Sequence, residues 1–155
     1  MMTEIERVRA YLAGVNPSIR VLEFDESTRS AELAAQVLGV ETGAIAKSIL
    51  FRTEGEPVLV VTSGDKRVDS QKLKATVGAS KVYLADPGTV MEVTGFPVGG
   101  VAPVAHRRKV RILLDESLKR FPVVYAAAGT PRSAMPVTWE ELQKITAGEA
   151  VDICN

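Results

Sequence analysis

Two features of this chain could do chemistry: a single lysine set in an apolar run, and a glycine-rich loop. The lysine is Lys47, within Ala44-Ile45-Ala46-Lys47-Ser48-Ile49-Leu50-Phe51. That run is β-branched or aromatic at Ile45, Ile49 and Phe51, and Glu54-Gly55-Glu56 follows as a turn, which predicts a strand. With a period of two, Lys47 shares a face with Ile45, Ile49 and Phe51. The opposite face, Ala46, Ser48 and Leu50, is also largely apolar, so the strand is expected to be central. An ammonium there is costly unless it is paired or opens into a cavity. The plainer alternative is a lysine near a strand end, its stem buried and its head in water.

The loop runs from Gly95 to Ala105 and reads G-F-P-V-G-G-V-A-P-V-A, with three glycines and two prolines in eleven positions. Glycine lets a ligand approach exposed N–H groups, and proline stiffens the frame. Such a loop offers main-chain rather than side-chain chemistry. Its alternative is an apolar connection tucked against the core.

Other catalytic sets are hard to assemble. A Ser-His-Asp or Cys-His arrangement would have to use His106, the chain's one histidine, which precedes Arg107-Arg108-Lys109 and would lose protons easily there. The one cysteine, Cys154, lies in the last residues, where fraying is expected. There is no G-x-S-x-G elbow, no Walker loop and no dinucleotide fingerprint. One Cys and one His cannot make a zinc-type cluster; a carboxylate-only metal site stays open with no motif behind it, and no metal or cofactor is expected. An enzyme built from this chain would use backbone dipoles, one lysine and the substrate's own groups.

The elements that must position these features are legible from caps and periods. Thr3 and Glu6 form a capping box for a first helix that buries Ile5, Val8 and Leu12 and stops at Gly14 and Pro17. Ile19 to Phe24 reads as a strand. A second helix runs from Ser30 as N-cap to Gly39, with Leu33, Val37 and the alanines inward. Strands near 45–52 and 57–62 form a hairpin. Asp69 caps a short helix ending at Gly78; Lys81 to Leu84 reads as a strand. Asp86-Pro87 starts a helix that closes at Gly95. After the loop come a strand at Arg111 to Leu114, a helical turn from Asp115, and strands at Val123 to Ala127 and Ser133 to Val137. A last helix opens on the capping box of Thr138 and Glu141, with Trp139, Leu142 and Ile145 inward, and Val151 to Cys154 is a tail strand. Strands and helices alternate without βαβ regularity, which predicts an α/β chain of mixed α+β type, a mixed sheet with helices around it.

The chain has 155 residues, 46% hydrophobic and 25% charged, which fits one domain with a real core. No apolar run approaches the roughly 20 residues that span a bilayer. The acidic start Met1-Met2-Thr3-Glu4 is no signal peptide. A lone cysteine suits a reducing compartment, so a cytoplasmic protein is expected. Net charge is zero but uneven: residues 101–120 carry +4, residues 64–82 carry +3, and residues 1–41 carry −3. That asymmetry permits a basic face. The basic cluster at 106–109 is either a phosphate-facing patch or a solvated edge. Thr62, Ser63 and Lys66 are further candidates for reaching phosphates.

Five segments in order then carry a resemblance: Ala34-Ala35-Gln36-Val37-Leu38-Gly39-Val40, Ile45-Ala46-Lys47-Ser48, Gly64-Asp65-Lys66-Arg67-Val68-Asp69, Thr94 to Pro103, and Ala126-Ala127-Ala128-Gly129-Thr130. On these the chain resembles the YbaK / prolyl-tRNA synthetase-associated domain family, freestanding relatives of the editing domain inserted in bacterial prolyl-tRNA synthetases. The resemblance runs from about residue 28 to residue 147. It implies one editing domain over residues 1–155, with a mixed, mostly antiparallel, barrel-like core surrounded by helices.

It also implies an aminoacyl-tRNA deacylase acting in trans, a hydrolase of the ester joining a mischarged amino acid to the terminal adenosine of a tRNA. Lys47 matches the family's essential lysine and is assigned electrostatic anchoring of the substrate. Residues Gly99 to Pro103 match its G-x-x-x-P loop, where the N–H groups of Gly99 and Gly100 would hold the carbonyl and terminal ribose. Ser48, Val101, Pro103, Gly129 and Thr130 follow as substrate-binding candidates, and His106 as a residue that gates the pocket or simply faces solvent. Gly100→Ala is expected to impair turnover more than stability. Where the cysteine-specific branch of the family carries a Ser and an Asp, this chain has Ala127 and Ala134, which favours another small residue such as Ala, Ser or Thr. The implied partners are aminoacylated tRNA-Pro, through its 3′ adenosine and acceptor stem, and prolyl-tRNA synthetase. No membrane partner is expected, and a monomer and a weak homodimer both stay open. Two other functions stay open beside deacylation: a non-catalytic module that binds an adenosine or tRNA end, and a hydrolase of small activated acyl esters.

Overall fold

The computed structural model describes residues 1–155. Five helices and eight strands follow one another as α1 (Glu4–Val15), β1 (Leu22–Glu23), α2 (Ala31–Leu38), β2 (Ile45–Thr53), β3 (Val58–Ser63), α3 (Ser70–Val77), β4 (Val82–Leu84), α4 (Pro87–Thr94), β5 (Arg111–Asp115), β6 (Val124–Ala126), β7 (Ser133–Val137), α5 (Trp139–Thr146) and β8 (Glu149–Val151). Single 3-10 turns precede β2 and follow β5.

The caps that the sequence announces are formed. Thr3 and Glu6 bond reciprocally, as do Thr138 and Glu141, and Ser30, Asp69 and Asp86 each accept backbone N–H groups at their helix starts. Each of these caps satisfies donors that the first helical turn would otherwise leave without partners. The expected strand from Ile19 to Phe24 is shorter: only Leu22 and Glu23 pair, with Ala134 and Ser133, while Ile19 is spent on the core. In α2 the alanines Ala34 and Ala35 are buried, whereas Leu33 is exposed and Val37 only half-buried. Small residues let that helix lie close on Ile45.

All strands join one mixed sheet in the order β1-β7-β6-β2-β3-β5-β8, with β4 paired to β2. The β2–β3, β2–β4, β6–β7 and β1–β7 pairs are antiparallel; β2–β6, β3–β5 and β5–β8 are parallel. Every residue of β3 is buried, as expected for a strand covered on both faces. On one face lies the main core, 23 buried residues that include Val8 and Leu12 of α1, Leu50, Leu59, Phe96 and Leu142. On the other, α3 packs Leu73 against Val58, Val60, Leu113 and Ile153. The chain end is not frayed: Cys154 is buried, bridges to Val68 and shares a 3.0 Å hydrogen bond with Thr62.

One property of the sheet positions the site. β2 pairs with β3 along residues 46–51, but its other edge is shared. β6 takes only Ile45 and Ala46 of that edge, and β4 takes Phe51 to Thr53. Residues 47–49 therefore face a split between two neighbours, since the Leu50 carbonyl already accepts from the Ala85 N–H, and Lys47 and Ser48 stand in it.

Candidate functional site

A cleft of about 230 Å³ opens at this split. Its floor includes Ala46, Lys47 and Ser48 of β2. One wall is Thr28, Arg29 and Ser30 with Ala31 and Ala34 of α2. The glycine-rich loop contributes Val98, Gly99 and Val101, and the β6–β7 region contributes Ala126, Ala127, Ser133 and Ala134. Two of the lining residues, Lys47 and Arg29, are cations, and no carboxylate lines the cleft. Lys47 is half-buried and enters none of the protein's ion pairs. The Ser48 hydroxyl is buried without a partner. This is an electropositive pocket whose apolar walls mix alanines with Leu38, Ile45, Ile49 and Tyr125, suited to a ligand that carries negative charge beside an apolar part.

The loop that forms one wall is a closed frame. Its neck is held where the Arg107 and Arg108 N–H groups donate to the carbonyls of Thr94 and Val93, at 3.1 and 2.9 Å. Within it, the Gly100 N–H donates to the Pro97 carbonyl at 2.9 Å, and Gly99 has φ +87°. A three-residue bond with positive φ at the third position is a type II turn, which calls for glycine there. The turn consumes the Gly100 donor. The expectation that Gly100 offers its N–H to a ligand is thus corrected, because that group closes the turn. The N–H groups of Gly99 and Val101, both on cleft-lining residues, donate to nothing within the protein.

Gly100 serves contact instead. A Cβ there would meet Thr130 and Pro131 backbone atoms at 2.6 to 3.0 Å, so the loop lies directly on the β6–β7 connection. That connection is organised by one buried hydroxyl. Ser133 Oγ accepts from the Ala128 and Thr130 N–H groups and donates to the Thr130 carbonyl, at 3.1, 3.3 and 2.9 Å. Thr28 Oγ1 in turn accepts from the Ser133 N–H at 3.1 Å.

The expected site residues therefore divide. Lys47, Ser48, Gly99 and Val101 come together around the cleft. Gly100, Pro103, Gly129 and Thr130 do not line it and build its support: Pro103 is buried, and Gly129 packs against Phe96 and Glu4. His106 neither gates the cleft nor faces solvent. Its Nε2 donates to the Ala102 carbonyl at 2.7 Å inside the loop, and its ring meets Phe96 edge-on at 6.2 Å. A carbonyl only accepts, so the proton sits on Nε2, and burial pushes the imidazole below its usual basicity. Thr62 and Ser63 are buried in β3 and cannot reach a phosphate chain. Arg107, Arg108 and Lys109 are exposed, with Arg108 paired to Glu92 at 3.1 Å. Sequence reasoning missed Arg29, Thr28 and Ser133, whose roles depend on the meeting of segments about 100 residues apart.

Comparison with known proteins shows which chains share this fold and sequence. The family described as "Aminoacyl-tRNA editing domain" matches residues 25–145. YwhH of Bacillus subtilis, an uncharacterised protein, is 37% identical over 153 residues, 97% of both chains. A proline–tRNA ligase of Desulforamulus reducens is 32% identical over 92% of this chain, which spans only 27% of that enzyme. A solved structure described as a candidate trans-editing enzyme for prolyl tRNA synthetase superposes with a TM-score of 0.93 at 37% identity, covering 100% of this chain and 99% of its own. With the family match covering well over half of the sequence and the fold shared end to end, the chain belongs to the aminoacyl-tRNA editing domain family.

Proposed function

We propose that the protein is an aminoacyl-tRNA deacylase acting in trans on tRNA-Pro that carries a small non-cognate residue. The observation that carries the reading is the unpaired Lys47 in a cleft also lined by Gly99 and Val101, whose N–H groups donate to nothing in the protein. An aminoacyl ester is already activated, so hydrolysis needs an oriented carbonyl, a water and stabilisation of the oxyanion. Lys47 and Arg29 hold the negatively charged tRNA end. The Gly99 and Val101 N–H groups receive the carbonyl oxygen, and the Ser48 hydroxyl contacts the substrate beside Lys47. Water adds to the carbonyl carbon, oriented by a free hydroxyl of the terminal ribose. The bond from that carbon to the ribose oxygen then breaks, the ribose oxygen takes a proton, and the amino acid leaves as its acid.

Ala34, Ala46, Ala127 and Ala134 around the cleft present an uncharged apolar surface that suits a small neutral residue such as alanine, serine or threonine. They offer no carboxylate that would select a thiol or an amine. The whole chain, residues 1–155, acts as one editing domain, since Val8 and Leu12 of α1 belong to the same core as the sheet. The cytoplasm, where charged tRNA is found, is its place of work. No helix is long and apolar enough to cross a membrane.

The test is a panel of tRNA-Pro charged with Ala, Ser, Thr, Cys or Pro, incubated with the protein. Release of Ala or Ser with Pro retained is the expected result. If every ester stays intact while the tRNA binds, the chain is a binding module for tRNA ends. Hydrolysis of small acyl esters with no dependence on salt would instead remove tRNA from the account, because phosphate contacts weaken steeply as salt rises.

A further inference from the structure

We infer that Arg7, on α1 and outside the matched family region, is a positioning residue that locks the glycine-rich loop in its working shape. Its Nε donates to the Ala105 carbonyl and its Nη2 to the Thr94 carbonyl, both at 3.0 Å. These acceptors are the two ends of the loop. The same Thr94 carbonyl also accepts from the Arg107 N–H, so the guanidinium reinforces the neck itself.

Two further contacts seat the clamp. The guanidinium carbon lies 4.2 Å from the centroid of Phe96, a fully buried ring at the start of the loop. Gly95 leaves room for it: a Cβ there would stand 2.5 Å from Arg7 Nη2. Ala105, whose carbonyl Arg7 holds, has φ +62°, a conformation that non-glycine residues keep only when their surroundings impose it. A planar fork with donors in two directions is what guanidinium has and ammonium lacks. Arg7 is half-buried and is absent from every ion pair of the protein, so its charge is directed at the two backbone carbonyls and the face of the Phe96 ring.

Arg7 does not line the cleft. It acts through the loop, which carries the Gly99 and Val101 amides. The catalytic part of this inference rests on the deacylase reading; the mechanical part does not, and the experiment separates them. Hydrogen exchange is measured on wild type, Arg7→Met and Arg7→Lys at the Gly100, Arg107 and Arg108 amides, with β3 amides as the reference. Exchange in the loop is expected to quicken at least tenfold in both variants, with β3 unchanged. In parallel, kcat for deacylation is expected to fall at least tenfold with KM within about twofold, and Lys is expected not to rescue it. Should Arg7→Met fail to fold, Arg7→Lys is read alone. Loop exchange at the wild-type rate, or quickened equally in β3, overturns the clamp. Quickened loop exchange with kcat unchanged overturns its positioning role. A wild type without deacylase activity refutes the functional reading and leaves the exchange result to decide the clamp.

Discussion

Gly100 and Thr130 lie in main-chain contact, close enough that a single methyl on Gly100 would stand 2.6 Å from the Thr130 carbonyl carbon. The obstacle is backbone, not the flexible end of a side chain, so it cannot step aside cheaply. Gly100→Ala is therefore expected to lower stability by about 1–3 kcal/mol, and to reduce deacylation in the molecules that stay folded. This reverses the order expected from the loop sequence, where catalysis was to suffer more than folding. Urea unfolding checks it; a wild-type midpoint would mean that the loop yields without cost.

Ser133 holds the surface on which Gly100 rests. Replacing it with Ala leaves the Ala128 and Thr130 donors without the hydroxyl they share. Losing a buried partner of this kind costs about 1–3 kcal/mol. Thermal unfolding of Ser133→Ala should show a lower midpoint, and Thr28→Val, which breaks the next link, should add less than its own cost when combined with it. Full additivity would show that the two hydroxyls do not form one network.

His106 gives the protein an acid-sensitive loop. Its imidazole is less basic in the folded state than its ordinary value of 6.5, chiefly through burial. The unfolded chain then binds more protons than the folded one below about pH 6.5, so stability falls with pH in that window. It is fully present above the unfolded value and is lost as pH drops towards the folded one. The carboxyls of Asp65, Asp86 and Glu149 are also held below their usual range, by Arg120, Thr89 and Arg111 respectively. They act in the same direction, but only at pH values under their ordinary 3.8 to 4.5. Unfolding curves between pH 7 and 5 should show a decline that His106→Gln flattens. An equal decline in the variant would assign it elsewhere.

Local signals carried much of the fold. Asp86 before Pro87, and the two Thr–Glu capping boxes, sit at helix starts where the side chain reaches its own backbone within three residues. Lys47 was legible because a charge interrupts an apolar period of two. What could not be read depends on distant partners. Cys154 is buried because the tail returns to Thr62 and Val68. His106 is tucked in because the loop curls over it, although three basic neighbours gave it the look of an exposed residue. The free amides of the loop are those of Gly99 and Val101 rather than Gly100, because a turn bond, invisible in composition, occupies the Gly100 N–H.

If the ammonium of Lys47 anchors an aminoacyl-tRNA end in this cleft, removing that ammonium should slow release of the amino acid while the protein stays folded. Single-turnover release of alanine from Ala-tRNA-Pro is measured for wild type and Lys47→Met. Met nearly conserves volume, so unfolding should differ by less than about 1.5 kcal/mol. Deacylation should fall about a hundredfold, the scale of losing one group that stabilises the developing charge. A Lys47→Met protein that is folded and releases alanine at the wild-type rate would show that this ammonium does not anchor the substrate.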